Sequence, residues 1–146
     1  MLIKHTMTTW LALDIGDKRI GLAVGNDSAR LARPLRVLTR ASKNEDFEAI
    51  ARAVQEVQAD ELLAGLPLHM DGREGAQAKR VRKYAERLRR RLNMPLRFHD
   101  ERLSSFVADE ILARRPRKKA RSQPNDAIAA AAILQSFLDA LDESLV

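Results

Sequence analysis

The sequence predicts an α/β fold, a sheet of five strands with helices on its faces. Three observations predict it. Strand-like alternation and helix-like periodicity follow one another along the chain in the order βββαβαβα. The early strands are close enough in sequence to pair as hairpins. The later ones are separated by amphipathic stretches of helical length, as crossover connections require.

The first two strands lie in residues 10–24, WLALDIGDKRIGLAV. Leu11, Leu13 and Ile15 alternate with Ala12 and Asp14. After a turn at Gly16, Asp17 and Lys18, Ile20, Leu22 and Val24 alternate with Gly21 and Ala23. Residues 26–32 are polar and irregular. A third short strand is expected over residues 34–38, where Pro34 argues for an edge or a strand beginning. Ser42 and Glu45 have capping-box spacing. The helix they open carries Phe47, Ile50, Ala51, Val54 and Val57 on one apolar stripe.

A fourth strand over residues 61–66 runs into Gly65-Leu66-Pro67, and the loop at residues 67–75 holds the turn signal Asp71-Gly72. From there a long helix to about Leu92 turns Val81, Tyr84, Ala85, Leu88 and Leu92 inward. Its other faces carry Lys79, Arg80, Arg82, Lys83, Arg87, Arg89 and Arg90. A fifth strand is expected from Leu96 to about Glu101, and a further helix over residues 103–113. The basic run RRPRKKAR, residues 114–121, contains a proline and is expected to be mobile. The last helix starts near Pro124 and packs Ala127, Ala130, Ala131, Leu134, Phe137, Leu138 and Leu141.

The 146 residues suffice for one domain with a real core. The absence of cysteine excludes a disulfide framework and a thiolate metal site and is compatible with a reducing cytoplasm. Residues 1–9 read as a frayed leader in which Met7 is a second possible start. MLIKHTMTTW lacks the apolar core and the cleavage site of a secretory signal, and no apolar run has the length of a membrane span. A net charge of +6 points to a polyanionic partner. With one Trp, one Tyr and four Phe, a base-stacking platform is not evident, so recognition should rest on backbone shape. No heptad pattern announces a dimer, and oligomeric state stays open.

Three acidic positions stand out. Asp14 sits in an otherwise apolar strand, where an ionised carboxylate is costly without a partner. That partner is either Lys18 or Arg19 across the turn, or a metal or phosphate. Asp100 and Glu101 end the fifth strand and point to opposite faces, so only one can face Asp14. Asp126 opens the last helix on the face of Ala130, Ile133 and Phe137, although an Asp there is also favoured by the helix dipole. Three converging carboxylates repel one another unless divalent cations neutralise them. Two-metal phosphodiester hydrolysis requires that arrangement.

LALDIGDKRIGLAV, GLPLHMDG, HDERLSS and NDAIAAAAILQSFLD resemble, in order and spacing, the successive signatures of the YqgF family, also called RuvX. The resemblance covers residues 10–139. It implies an RNase H-like fold with a five-stranded mixed sheet flanked by helices, making residues 10–146 a single nuclease domain related to the RuvC Holliday junction resolvases. It also implies a metal-dependent nuclease whose acids fall on Asp14, on the Asp100-Glu101-Arg102 motif and on Asp126. Glu101 is preferred because its longer stem can reach Asp14. Asp14, Glu101 and Asp126 are thus the expected ligands of Mg²⁺ or Mn²⁺, two ions by the two-metal chemistry above. Asp100 is the runner-up to Glu101. The implied substrate is precursor 16S ribosomal RNA, matured at its 5′ end. Branched or single-stranded DNA is the alternative, and symmetric junction cutting would call for a homodimer. Asp17 stands where the family usually has threonine and His69 where it has asparagine. Gln123 occupies the position of a second RuvC acid, leaving three acids.

On this resemblance Arg19 and Arg102 are placed to meet phosphate oxygens. Arg114, Arg115, Arg117, Lys118, Lys119 and Arg121 form a basic arm just before Asp126, giving affinity without sequence preference. Two other classes are weighed against the nuclease. DIGDKRIG also resembles the first phosphate loop of actin-like ATPases and sugar kinases, which need a second loop and domain that do not fit in this chain. An idle nucleic-acid adaptor would need the basic surface but not three inward acids.

Overall fold

The alternation in residues 9–26 produces a hairpin of β1 (Thr9–Ile15) and β2 (Arg19–Asn26), paired antiparallel from Thr9 opposite Asn26 to Ile15 opposite Ile20. In this computed structural model, which describes residues 7–104, 110, 111, 113 and 125–143, β1 is also the centre of the sheet. β3 (Arg33–Thr39) adds antiparallel to β2, and β4 (Glu61–Leu66) and β5 (Leu96–Asp100) follow β1 in parallel, giving the order β3-β2-β1-β4-β5. The sheet is mixed and five-stranded, as expected. Pro34 lies on an edge strand, and the register slips beside it between Leu22 and Ala23, where a proline without an N–H interrupts the ladder.

Thr9, assigned by sequence to the leader, is instead the first residue of β1. It is buried, and its amide donates to Asp60 Oδ2 at 2.9 Å. Leader residues 1–6 lie outside the described residues. So do Arg114, Arg115, Arg117, Lys118, Lys119, Arg121 and Gln123, and most of the helix expected over residues 103–113. Where that helix was to begin, Glu101–Ser104 forms a single 3₁₀ turn.

Period-two alternation gives the sheet two apolar faces. Leu11, Leu13 and Ile15 pack with α1 (Lys43–Val57) and α2 (Ala76–Leu92). Trp10, Ala12, Ala23 and Leu63 pack against α3 (Asn125–Glu143). The Ser42 hydroxyl accepts from the Glu45 amide at 3.1 Å, so α1 starts where the capping pattern placed it. On α3 burial extends beyond the expected stripe to Ile128, Ala132 and Ile133. Among the described residues, no helix is long and apolar enough to cross a membrane.

Between α1 and α2 lies a polar knot that the periodicity did not announce. Asp46 is 4% exposed, and its carboxyl group accepts from the Ala41 amide (2.9 Å) and the Tyr84 hydroxyl (3.1 Å), with Arg40 Nε at 3.8 Å. Burial and the neighbouring Asp46 push the Tyr84 hydroxyl well above its ordinary pKa. Tyr84→Phe is expected to cost about 1–3 kcal/mol, since it leaves a buried carboxyl oxygen short of a donor. Urea denaturation measures that cost. No change in midpoint would show that the knot does not contribute to stability.

Candidate active site

Two glycines open the space on either side of Asp14. Asp14 on β1 is paired with Gly21 on β2, so the two share one face of the sheet, the face covered by α3. A Cβ on Gly21 would lie 1.9 Å from the Asp126 carbonyl oxygen. The first turn of α3 therefore rests directly on Gly21, and this seating brings Asp126 beside Asp14. On the other side of Asp14, at Gly65 of β4, a Cβ would meet Ile133 Cδ1 at 2.5 Å and Glu101 Oε1 at 3.2 Å. Neither glycine was singled out from the sequence. Its one signal was a glycine interrupting each apolar strand, which marks close backbone approach.

The Asp100–Glu101 ambiguity is resolved by the faces. Leu96 and Phe98 pack on the α1/α2 side, which puts Asp100 there too, away from Asp14. His99 faces the α3 side, its ring 5.9 Å edge-on from Phe137 and its Nε2 2.9 Å from Ser136 Oγ. β5 ends at Asp100, and the 3₁₀ turn then swings the Glu101 carboxylate to within hydrogen-bonding contact of Asp14.

Asp100 is instead committed to Arg102. The guanidinium reaches its carboxylate through Nη2 at 2.6 Å and Nε at 3.0 Å, and holds Asp100 below the usual carboxylate range. Through Nη1 the same guanidinium donates to the Met70 carbonyl at 3.0 Å. Arg102, expected from sequence to meet phosphate, thus braces the loop after β4. His69 packs its ring over Gly75 in the same loop, where a Cβ would come within 2.2 Å of Nε2.

Asp14 has no cationic partner among the described residues. Burial foremost, then the hydrogen bond and charge of Glu101, then the charge of Asp126, push its carboxyl group up to about 8. Asp14 therefore keeps its proton at neutral pH, in hydrogen-bonding contact with Glu101. The alternative of a salt bridge from Arg19 to Asp14 is not what forms. Arg19 Nε instead meets Asp126 Oδ2 at 2.8 Å. That ion pair turns Asp126 toward the β1–β2 turn, and among the described residues no three acidic or histidine side chains are gathered around one point. The open cleft beside the pair is lined by Asp14, Leu68, Glu101, Arg102 and Ile133.

With this geometry in place, likeness to known proteins becomes informative. A model of the RuvX family, described as Holliday junction resolvase, matches residues 8–140. The chain belongs to the RuvX family. Among its relatives is a protein of Anaeromyxobacter sp. (strain Fw109-5) named "Putative pre-16S rRNA nuclease". It is 42% identical over 132 residues, spanning 89% of this chain and 96% of that protein. One of the same name from Neisseria gonorrhoeae (strain ATCC 700825 / FA 1090) is also 42% identical, over 90% of this chain and 87% of that one.

Solved structures extend the likeness of this RuvX chain to its fold. RuvC of T. thermophilus in complex with Holliday junction substrate superposes with a TM-score of 0.61 at 11% identity, covering 94% of this chain and 96% of that one. The Fowlpox virus resolvase, with substrate Holliday junction DNA, gives 0.60 at 10% identity over 92% and 99%. The fold is RNase H-like. In this RuvX member the Asp14–Glu101 pair lies at the carboxyl end of the central strand, with Asp126 supplied from the opposing helix.

Proposed function

We propose that the chain is a divalent-metal-dependent nuclease that hydrolyses phosphodiester bonds in structured nucleic acid, with 5′-end processing of pre-16S rRNA as its natural reaction. Family membership and the names of relatives above 40% identity support the nuclease reading. The observation that carries it is the half-buried Asp14 carboxyl group, repelled by two other carboxylates and matched by no cation among the described residues.

The donors fit a hard divalent cation. All three are carboxylate oxygens, which suit Mg²⁺ and Mn²⁺, and Asp14 and Glu101 already touch. Such ions would polarise the scissile phosphate and supply an activated water. Asp14 and Glu101 would hold them, Asp14 giving up its proton on binding. Asp126 would complete the set on parting from Arg19, whose guanidinium would then be available to a non-bridging phosphate oxygen. Arg102, held by Asp100 and the Met70 carbonyl, lines the cleft beside the pair and is the second cation offered to a phosphate oxygen. The basic arm of residues 114–121, which precedes α3 in sequence, adds phosphate contacts beside Asp126.

The roles of the two neighbouring acids separate by calorimetry with Mn²⁺. Glu101→Gln should lose binding, whereas Asp100→Asn should bind as wild type because its carboxylate faces Arg102. The reverse result would exchange their roles.

Cleavage of matched substrates tests the function as a whole: a pre-16S rRNA 5′ leader, single-stranded DNA and a four-way junction, each with Mg²⁺ or Mn²⁺. Junction resolution is the second reading, favoured by the family's description and the resolvase-like fold. Selective cutting of the junction by a dimer would favour it. Cleavage of none of the three would sink both.

A further inference from the structure

The opposite face of the sheet carries a second feature that the carboxylate site does not use. A cleft of about 200 Å³ opens between the β1–β2 turn, the start of α1 and one face of α2. Five cations, Arg40, Lys43, Arg80, Lys83 and Arg87, line it with a single acid, Asp17.

The cleft gathers cations that lack ion pairs. Outside the cleft on α2, Arg82 pairs with Glu74 and Arg89 with Glu86, while Arg90 and Arg91 donate to the Glu86 carbonyl and to Asn44 Oδ1. Arg80, Lys83 and Arg87 are exposed and meet no carboxylate among the described residues. They recur at helical spacing on one face, where like charges three and four residues apart repel and slightly destabilise the helix. Lys43 across the cleft is equally exposed and also meets no described carboxylate.

Arg40 is different in kind, because it is built into place. It is half-buried, with Nη1 donating to the Gly16 carbonyl at 2.8 Å and the guanidinium carbon 4.6 Å over the Tyr84 ring. The buried Asp46–Tyr84 knot thus fixes one cation at the base of the cleft while four others ring its mouth.

We infer that this cleft is a phosphate-backbone site, which seats a stretch of the same nucleic-acid strand that reaches the carboxylates. The inference rests on the nuclease reading for its ligand and extends it to a face of the sheet that the reading leaves unassigned. Asp14 points to the α3 face, whereas Gly16 and Asp17 line the cleft on the other face. Asp17 is three residue steps from Asp14, at most about 11 Å of chain. A strand leaving the carboxylates therefore has only the Gly16–Lys18 turn to round. Arg80 to Arg87 spans about 10 Å along the helix axis. At about 3.4 Å of axis per strand phosphate, that length matches some three backbone phosphates and exceeds a single small anion.

The test compares two triple variants of equal charge change. One is Arg80→Gln, Lys83→Gln, Arg87→Gln in the cleft; the other is Arg82→Gln, Arg89→Gln, Arg90→Gln outside it. Binding of a fluorescein-labelled single-stranded RNA is titrated against salt without divalent cation, so that nothing is cut. The slope of log K against log[salt] should drop by about 2 in the cleft variant, about 0.7 for each phosphate no longer neutralised. The outside variant should change it little, and Lys83→Gln alone should lower it by about 0.7.

Equal drops in both variants, or no drop in the cleft variant, overturn the inference. So does saturable binding of inorganic phosphate that only the cleft variant loses while its RNA slope stays at the wild-type value, since the cleft would then serve a free anion. Cleavage with Mg²⁺ or Mn²⁺ beside an unchanged slope would sink the cleft and leave the nuclease reading standing. A cleft-dependent slope in a protein that cuts nothing would do the opposite. A wild-type chain that binds no RNA sinks the cleft as well.

Discussion

Asp14→Asn is expected to abolish cleavage, a loss greater than ~100-fold, while the fold persists and gains stability at alkaline pH. The loss follows from Asp14's place among the proposed ligands, because removing even an outer-shell partner of a metal site commonly costs roughly 10–100-fold. The gain follows from proton linkage. The Asp14 carboxyl group titrates near 8 in the folded protein against an ordinary value of 3.8, so the folded state keeps a proton that the unfolded chain releases. Between those values stability is greatest at the acid end and declines as pH rises, by up to about 1.4 kcal/mol per pH unit. Asparagine removes that slope. In chelator the variant should therefore overtake the wild type as pH approaches 8. Added Mg²⁺ or Mn²⁺ binds only the folded wild type and should raise its urea midpoint but not that of the variant. A wild-type midpoint flat across the window would show that Asp14 is not held protonated, and wild-type turnover by the variant would remove Asp14 from the reaction.

The sequence carried the frame of this molecule because frame and periodicity are the same information. Strand alternation in residues 10–24 and 61–66 and the stripes at Phe47–Ile50 and Val81–Leu88 placed β1, β2, β4, α1 and α2 to within a few residues. Pro34 pointed to an edge, and β3 is an edge strand. Asp14 could be singled out because a carboxyl group in an apolar strand is costly wherever the strand goes. What periodicity could not carry is which face each strand end presents. Leu96, Phe98 and Asp100 share a face, but only the position of α2 tells which one, so sequence could rank Glu101 over Asp100 by its longer stem and not by direction. Arg19 and Arg102 could be offered to phosphate from their charge, but sequence does not show the acids they pair with, Asp126 and Asp100. The seating of α3 on Gly21 joins residues more than a hundred positions apart, and no local pattern reports such a contact.

That seating yields the second large effect. Gly21→Ala is expected to destabilise the protein by about 3 kcal/mol or more, at or beyond the upper end of ordinary overpacking. The added methyl would lie 1.9 Å from the Asp126 carbonyl oxygen and 2.3 Å from its carbon, so α3 itself must move. Its movement takes Asp126 away from Asp14, and cleavage should fall with stability. Gly65→Ala offers the contrast. Its nearest obstacle is Ile133 Cδ1 at 2.5 Å, the far end of a side chain, with Glu101 Oε1 behind it at 3.2 Å. A cost of about 1–3 kcal/mol is expected there. Ile133→Val, which deletes that methyl, costs about 0.5–1.5 kcal/mol alone but should be less than additive with Gly65→Ala. No side-chain truncation should rescue Gly21→Ala in the same way, because its clash is with backbone. Urea denaturation of the two alanine variants with and without Ile133→Val measures both couplings. A Gly21→Ala protein with wild-type midpoint and wild-type cleavage would mean that α3 does not rest on β2 there, and that Asp126 reaches Asp14 by some other route.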